Sequence, residues 1–362
     1  MSEFPTNTQW AAPAPPDFDL RPMLVIWEMT QACDLSCIHC RAKARTKRHP
    51  LELSTAEAFH LIDQIAQMRV PRFALTGGDP LKRPDLMPIV QYACRRGVPT
   101  SLTPSATPLL TRDAIVQLKS VGLTRVALSL DGSTAELHDG FRRVTGAYKQ
   151  TLDAVRWCHE AGLPVQVNTT VSRHNVADLD NMVQLLTSLR VTLWSVFFLV
   201  PTGRGQSTEL LNSEEHEAVF AKLYDASRHG KFHIRTTEGQ HYRRYVFQQK
   251  ARMGKTRTEE ELIGHTARGV NDRRGFMFVS HTGEVYPSEF LPLSAGNVLW
   301  EPLSEIYRHS PLFVSMRNSS LLKGKCGRCE FKDVCGGSRA RALAVSGDPL
   351  AEEPCCAYTP SA

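Results

Sequence analysis

The sequence predicts an α/β protein: a partial (β/α)6 barrel, curved and partly open, followed by a small cysteine-rich α+β C-terminal domain. Three observations carry this expectation. Between residues 22 and 205, short apolar runs alternate with longer amphipathic stretches six times. After about residue 205 that rhythm stops. The ten cysteines then fall mainly into two groups, three within Cys33–Cys40 and five within the last 37 residues.

Residues 1–21 are rich in Pro and polar residues and read as a flexible N-terminal arm. The predicted strands of the 22–205 core are Met23–Glu28, Arg72–Thr76, Thr100–Thr103, Arg125–Leu130, Val165–Thr170 and Leu193–Val200. Helical patterns lie between them at 55–68, 84–96, 111–121, 147–161 and 176–188. Ser54-Thr55-Ala56-Glu57 has the residues that open a helix, and so does Thr111. Gly97, Gly122 and Gly162 each close a helix before the next strand. Repeated strand–helix units imply parallel strands with right-handed crossovers. Six units fall short of the eight of a closed barrel, and an open doubly wound sheet is the alternative. Residues 206–265 read as a helical linker with a charged run near Thr256–Glu261. Within the C-terminal domain, 266–362, Gly275–Ser280 and Glu284–Tyr286 read as a β-hairpin turning at His281-Thr282-Gly283.

Composition excludes several classes. The chain is 42% hydrophobic and 22% charged, ordinary for a globular protein. Its net charge of +6 over 362 residues is too mild for a nucleic-acid binder, though it suits an acidic substrate. No apolar run approaches the roughly 20 residues of a membrane span. The N-terminus lacks the basic start and apolar core of a signal peptide, so a cytoplasmic protein is expected. In a reducing compartment so many cysteines are better read as metal ligands than as disulfides. Cys94 and Cys158 stand alone in helical patterns and read as inert thiols.

Cys33, Cys37 and Cys40 form a Cys-x3-Cys-x2-Cys loop directly after the first strand. In parallel α/β folds the carboxyl ends of strands form the functional face. Three thiolates on one loop can hold three irons of a four-iron cluster and leave the fourth open. A three-Cys zinc site is the competing reading of the bare spacing. Thr76-Gly77-Gly78-Asp79-Pro80 follows the second strand, Ser129-Leu130-Asp131-Gly132 the fourth, Gln166-Val167-Asn168 lies in the fifth, and the sixth runs into Val200-Pro201-Thr202-Gly203.

Together these motifs resemble the radical S-adenosylmethionine (SAM) superfamily. The resemblance implies a [4Fe-4S] cluster held by Cys33, Cys37 and Cys40, with SAM on its open iron. It implies SAM contacts from His39, Gly77, Gly78, Asp79, Ser129, Asp131 and Asn168, and from the backbone near Val200. It implies reductive cleavage of SAM to a 5′-deoxyadenosyl radical that takes hydrogen from substrate, with a flavodoxin- or ferredoxin-type electron donor.

In the tail, Cys326-x2-Cys329-x5-Cys335 and the later Cys355-Cys356 supply enough thiolates for a closed four-iron cluster or a tetrahedral zinc. This segment is similar to the SPASM extension of radical SAM enzymes. That implies one auxiliary [4Fe-4S] cluster on Cys326, Cys329, Cys335 and Cys356, the last preferred over Cys355. Full SPASM domains carry two clusters. Here Ser288 stands where a ligand Cys is expected, and no Cys lies between 159 and 325, so the first is expected to be absent.

The tail also looks like radical SAM enzymes of heme and heme d1 biosynthesis, which remove or oxidise carboxylate side chains of tetrapyrroles. Arg142, Arg143, Arg204, Arg243, Arg244, Arg273 and Arg274 are the arginines offered for such carboxylates. A ribosomal-peptide maturase of the SPASM class is the alternative, weakened because only about 21 residues precede the first strand. A non-enzymatic iron–sulfur or zinc-binding scaffold or sensor would need the cysteines alone, not the Gly-Gly-Asp turn or the polar strand ends.

Overall fold

The computed structural model describes residues 17–254 and 273–361. Most of the expected N-terminal arm, and the charged run at Thr256–Glu261, lie outside the described residues. The strands are β1 (Leu24–Glu28), β2 (Phe73–Thr76), β3 (Thr100–Leu102), β4 (Arg125–Ser129), β5 (Val165–Val171), β6 (Leu193–Phe198) and β7 (His233–Thr237), followed by β8 (Phe276–Val279), β9 (Glu284–Tyr286) and β10 (Gly296–Asn297). The helices among them are α1 (Thr55–Gln67), α2 (Leu86–Arg95), α3 (Arg112–Ser120), α4 (Ala135–Arg142), α5 (Ala147–Glu160), α6 (Leu179–Ser188), α7 (Ser213–His229) and α8 (His241–Arg252).

Among the described residues one sheet holds ten strands, in the order β10-β9-β8-β1-β2-β3-β4-β5-β6-β7. From β8 through β7 every pairing is parallel. A doubly wound sheet reverses its strand order at a switch point, whereas here β1 to β7 follow in chain order. The sheet also curls. Arg72 at the foot of β2 lies near enough to Arg235 on β7 to repel it, although five strand spacings of a flat sheet would part them by about 24 Å.

Local chemistry explains the elements. Ser54 and Glu57 form a capping box at the start of α1, with Ser54 N donating to Glu57 Oε2 at 2.7 Å. Thr111 Oγ1 accepts from Ala114 N at 3.1 Å and caps α3. Strand alternation sends Val25, Trp27, Phe73, Leu75, Val126, Leu128, Val167 and Val196 against the helices, where all are buried. Each such burial contributes about 1.5–3 kcal/mol. The opposite, concave face carries Ser101, Ser129, Gln166, Asn168 and Ser195, which is why β5 reads apolar–polar along its length.

The structure corrects three expectations. Residues 206–265 are not wholly helical, because β7 extends the barrel beyond β6. Its His-Ile-Arg-Thr-Thr sequence is polar since it is an edge strand with little to bury. The C-terminal hairpin is not separate from the barrel: β8 pairs in parallel with β1, which leaves both flanks of β1 covered. Finally, α4, capped by Thr134, stands between β4 and α5 where no helical pattern was expected.

Candidate active site

The cysteine loop leaves the end of β1 and is closed on itself. Cys33 N donates to Arg45 O at 2.7 Å and Arg45 N to Gln31 O at 3.0 Å. Arg41, just after Cys40, pairs with Glu28 at 2.6 Å, and Glu28 also meets His281 of the hairpin turn at 2.8 Å. Burial acts to raise the Glu28 pKa, but Arg41 and His281 win and hold it low. Cys33, Leu35 and Cys37 are buried together, with Cys40 packed against them. Leu35 N donates to Cys33 Sγ at 3.3 Å, Ala44 N to Cys40 Sγ at 3.4 Å, and Arg142 to Cys37 Sγ at 3.5 Å. Thiolates are favoured by such donors and by the arginine charge.

Two neighbouring turns press on this loop. A Cβ on Gly77 would stand 2.5 Å from Thr30 O, and one on Gly78 would stand 2.4 Å from Ala32 O. The same backbones are bonded, Gly78 N to Thr30 O at 2.7 Å and Asp79 N to Ala32 O at 2.6 Å. The Gly-Gly pair thus lets the turn after β2 lie directly on the cysteine loop. From the other side Arg204 Nε donates to Cys37 O at 2.9 Å, and Gly203, at φ +64°, sits against Cys40 O and Arg41 O.

The expected SAM-contact residues divide into two groups. His39 packs its ring at a tilt on Phe141, centroids 4.5 Å apart, and keeps a buried Nδ1 without a protein partner. Burial, then Arg142 and Arg204, push its pKa well down, so the ring is neutral. Ser129 and Asn168 are register partners on the concave face, half-buried, and Gln166 donates to Asn168 Oδ1 at 2.7 Å. Asp79 and Asp131 are instead turned into the protein. Asp79 is fully buried, accepts from Leu81 N at 3.1 Å and from Thr107 Oγ1 at 2.8 Å, and burial raises its pKa. Asp131 accepts from Thr170 N at 2.8 Å and pairs with Arg142. Arg142 also reaches Cys37, so Asp131 is tied to the cysteine loop through an arginine. Val200 packs its side chain on Leu291, Met316 and Ala340.

The tail brings its own thiols together. Cys326, Cys329, Cys335 and Cys356 line one cavity with His241, Arg244 and Glu353, and Cys355 does not line it. Glu353 N donates to Cys326 Sγ at 3.3 Å and Gly337 N to Cys335 Sγ at 3.4 Å. Gly336 and Gly337 both have positive φ, +69° and +66°, which bends the chain sharply after Cys335. Beneath lies a buried ion pair. Arg341 meets Glu353 at 2.9 Å, and also donates to Leu199 O at 3.3 Å and Glu238 O at 2.6 Å at the ends of β6 and β7. Burial opposes ionisation of Glu353, yet Arg341 holds its pKa down to about 2. Ser288 bonds Glu238 at 3.3 Å, and Ser338 bonds Glu238 too, so the position where a ligand Cys was expected holds a hydroxyl–carboxylate network. Among the described residues, no three His, Cys, Asp or Glu converge as one metal ion requires. A four-iron cluster instead takes its thiolates at separate corners.

The profile of the radical SAM superfamily matches residues 27–186. The AdoMet-dependent heme synthase of Methanosarcina barkeri is 38% identical over 94% of this chain and 97% of its own length. The chain belongs to the radical SAM superfamily. A second relative, the AdoMet-dependent heme synthase of Oleidesulfovibrio alaskensis, is 40% identical over 93% of this chain and 87% of its own. The fold is similar to Streptococcus suis SuiB bound to S-adenosylmethionine, with a TM-score of 0.73, 15% identity, and coverage of 94% of this chain and 78% of that one.

This radical SAM enzyme therefore uses SAM and a [4Fe-4S] cluster. Its residues fit both: three thiols on one closed loop, a glycine turn laid against them, and the orphaned His39 Nδ1 and Arg204 Nη2 beside them. Most arginines offered for substrate carboxylates are engaged within the protein. Arg142 serves Asp131 and Cys37, Arg204 holds Cys37 O, Arg244 pairs with Glu217, and Arg274 holds Arg317 O. Sequence reasoning missed the Arg341–Glu353 pair. Its only signal was charge in an otherwise small-residue Cys-Gly-Gly-Ser-Arg-Ala-Arg-Ala run. No helix among the described residues is long and apolar enough to cross a membrane.

Proposed function

We propose that this enzyme acts on a carboxylated tetrapyrrole on the way to a heme, removing or oxidising an acetate or propionate side chain. The observation that carries this is 38–40% identity, over nearly the whole chain, to two proteins named as heme synthases. In this reading Cys33, Cys37 and Cys40 hold the catalytic cluster, which when bound supplies the electron that cleaves SAM to a 5′-deoxyadenosyl radical. His39 and the backbone near Val200 border the adenine, Ser129 and Asn168 face the ribose and carboxylate, and Gly77-Gly78 shapes the ammonium site. Asp79 fixes that turn through Leu81 N and Thr107. Asp131 holds Arg142 against Cys37. Cys326, Cys329, Cys335 and Cys356 would hold an auxiliary [4Fe-4S] cluster, whose chemistry there is electron transfer. The outside reductant is a flavodoxin- or ferredoxin-type protein.

The test is an anaerobic turnover assay on reconstituted enzyme with SAM, dithionite and a tetracarboxylate iron porphyrin. The reading predicts that the porphyrin stimulates 5′-deoxyadenosine formation and that mass spectrometry finds a carboxyl-modified product. Deoxyadenosine formation unaffected by porphyrin, with no change in porphyrin mass, would contradict it.

A further inference from the structure

The barrel interior carries an arrangement that neither the cluster nor SAM accounts for. Arg125 opens β4 on the concave face, opposite to the buried Val126 and Leu128. Arg235 lies at the centre of β7 on the same face, in register with Ser195. Arg72 precedes Phe73 of β2 and alternates to that face as well. Arg243, on the first turns of α8, bonds Val334 O at 3.2 Å beside Cys335. Curling of the sheet brings the four together: Arg235 feels Arg72, Arg125 and Arg243, and Arg125 feels Arg72.

Among the described residues, no carboxylate balances the first three. Among the described residues, Arg72, Arg125 and Arg235 make no ion pair, and none of their guanidinium groups donates a hydrogen bond to protein. Burial and these like charges push the Arg235 pKa down to about 10, yet the side chain remains accessible to solvent. Arg72 is exposed as well, and Arg125 is half-buried. Chains keep such uncompensated like charges together at a cost to stability, and arginine forks are matched to carboxylates.

We propose that Arg72, Arg125 and Arg235, with Arg243 at their upper end, form a carboxylate-binding subsite inside the barrel that holds the acidic side chains of the substrate. This rests on the tetrapyrrole reading above. Arg125 and Ser129 are four residues apart on one face of β4, about 13 Å at roughly 3.3 Å per residue. A macrocycle lying along that face keeps some carboxylates on the arginines and presents another edge toward the SAM-facing strand ends. The subsite thus orients the ring so that one side chain reacts while others are gripped.

The experiment is an absorbance titration of reconstituted enzyme with a tetracarboxylate iron porphyrin and with its tetramethyl ester. Wild type is compared with Arg125→Gln, Arg235→Gln and the double variant. Each single change is expected to weaken tetracarboxylate binding about tenfold or more, and the double change further. Ester binding is expected to be weak and equal in all four proteins. Substrate-free SAM cleavage should be unchanged, which shows that the variants fold. Melting temperatures should rise or hold, since repulsion is relieved, whereas a structural role would lower them. Tight tetracarboxylate binding by the double variant would overturn the subsite alone. Failure of wild type to bind the porphyrin would overturn the tetrapyrrole reading together with it.

Discussion

The two cysteine sites are built on opposite plans. The first uses eight consecutive residues, Cys33–Cys40, on a loop whose ends are bonded to each other. The second gathers thiols from the helix Gly324–Arg328, the turn at Cys335 and the loop after the turn at Pro354-Cys355. What holds them differs accordingly. Backbone crowding by Gly77, Gly78 and Gly203 shapes the first. The second depends on a buried charge pair, Arg341–Glu353, that ties the tail to the ends of β6 and β7. A contiguous site tolerates little backbone change, whereas a dispersed one is only as stable as its longest-range tie.

That contrast can be broken at its strongest points. Gly78→Ala places a methyl 2.4 Å from Ala32 O, which is backbone and has no rotamer to yield. Shifting the loop by part of an ångström should cost SAM cleavage about tenfold to hundredfold, read as 5′-deoxyadenosine per minute, with the tail unaffected. Glu353→Gln removes the carboxylate that pairs with the buried Arg341 charge, a loss of about 3–5 kcal/mol. Denaturant unfolding should show it, and iron bound by the tail should fall while SAM cleavage without substrate persists. If SAM cleavage fell in step with tail iron, the two sites would not be separately held.

A finer cut separates the adjacent thiols. Cys355 N bonds Glu353 Oε1 at 3.1 Å and its burial pushes the thiol up to about 11. Cys356→Ala should remove about four irons, and Cys355→Ala none. Equal losses would show that the two trade places.

The smallest expected effect is a pH slope. His216 stacks on Phe198 at 4.9 Å, and burial, then Arg341, holds its pKa down to about 4 from an ordinary 6.5. A depressed folded-state pKa means that stability is complete above 6.5 and declines as pH falls toward 4. The slope approaches about 1.4 kcal/mol per pH unit. His216→Phe should flatten the loss of stability between pH 7 and 5. An unchanged slope would place the titration elsewhere.

Legibility from sequence follows the same division. The six strands, their helices and the first cysteine loop were readable because each is set by neighbours in the chain: a capping box at Ser54, glycine stops, a fixed thiol spacing. Strand β7 was not, since an edge strand with two exposed residues carries no apolar period. The parallel pairing of β8 with β1 joins residues some 250 apart, and no local pattern encodes it. The Arg142 partner of Asp131 was not legible for a related reason. A polar residue at a strand end looks like a ligand contact until its partner, Arg142, is seen to fill it. Of the barrel arginines, Arg72, Arg125 and Arg235 were passed over because only curvature brings Arg72 and Arg235 together.

The most direct test of the account is electron paramagnetic resonance with iron counting on anaerobically reconstituted wild type and on a Cys33/Cys37/Cys40→Ala variant. Wild type should bind about eight irons and give a reduced-cluster signal that shifts on adding SAM. The variant should keep about four irons, give a signal blind to SAM, and form no 5′-deoxyadenosine. A SAM-dependent shift surviving in the variant would contradict the account, because the open iron would then lie elsewhere than on the loop after β1.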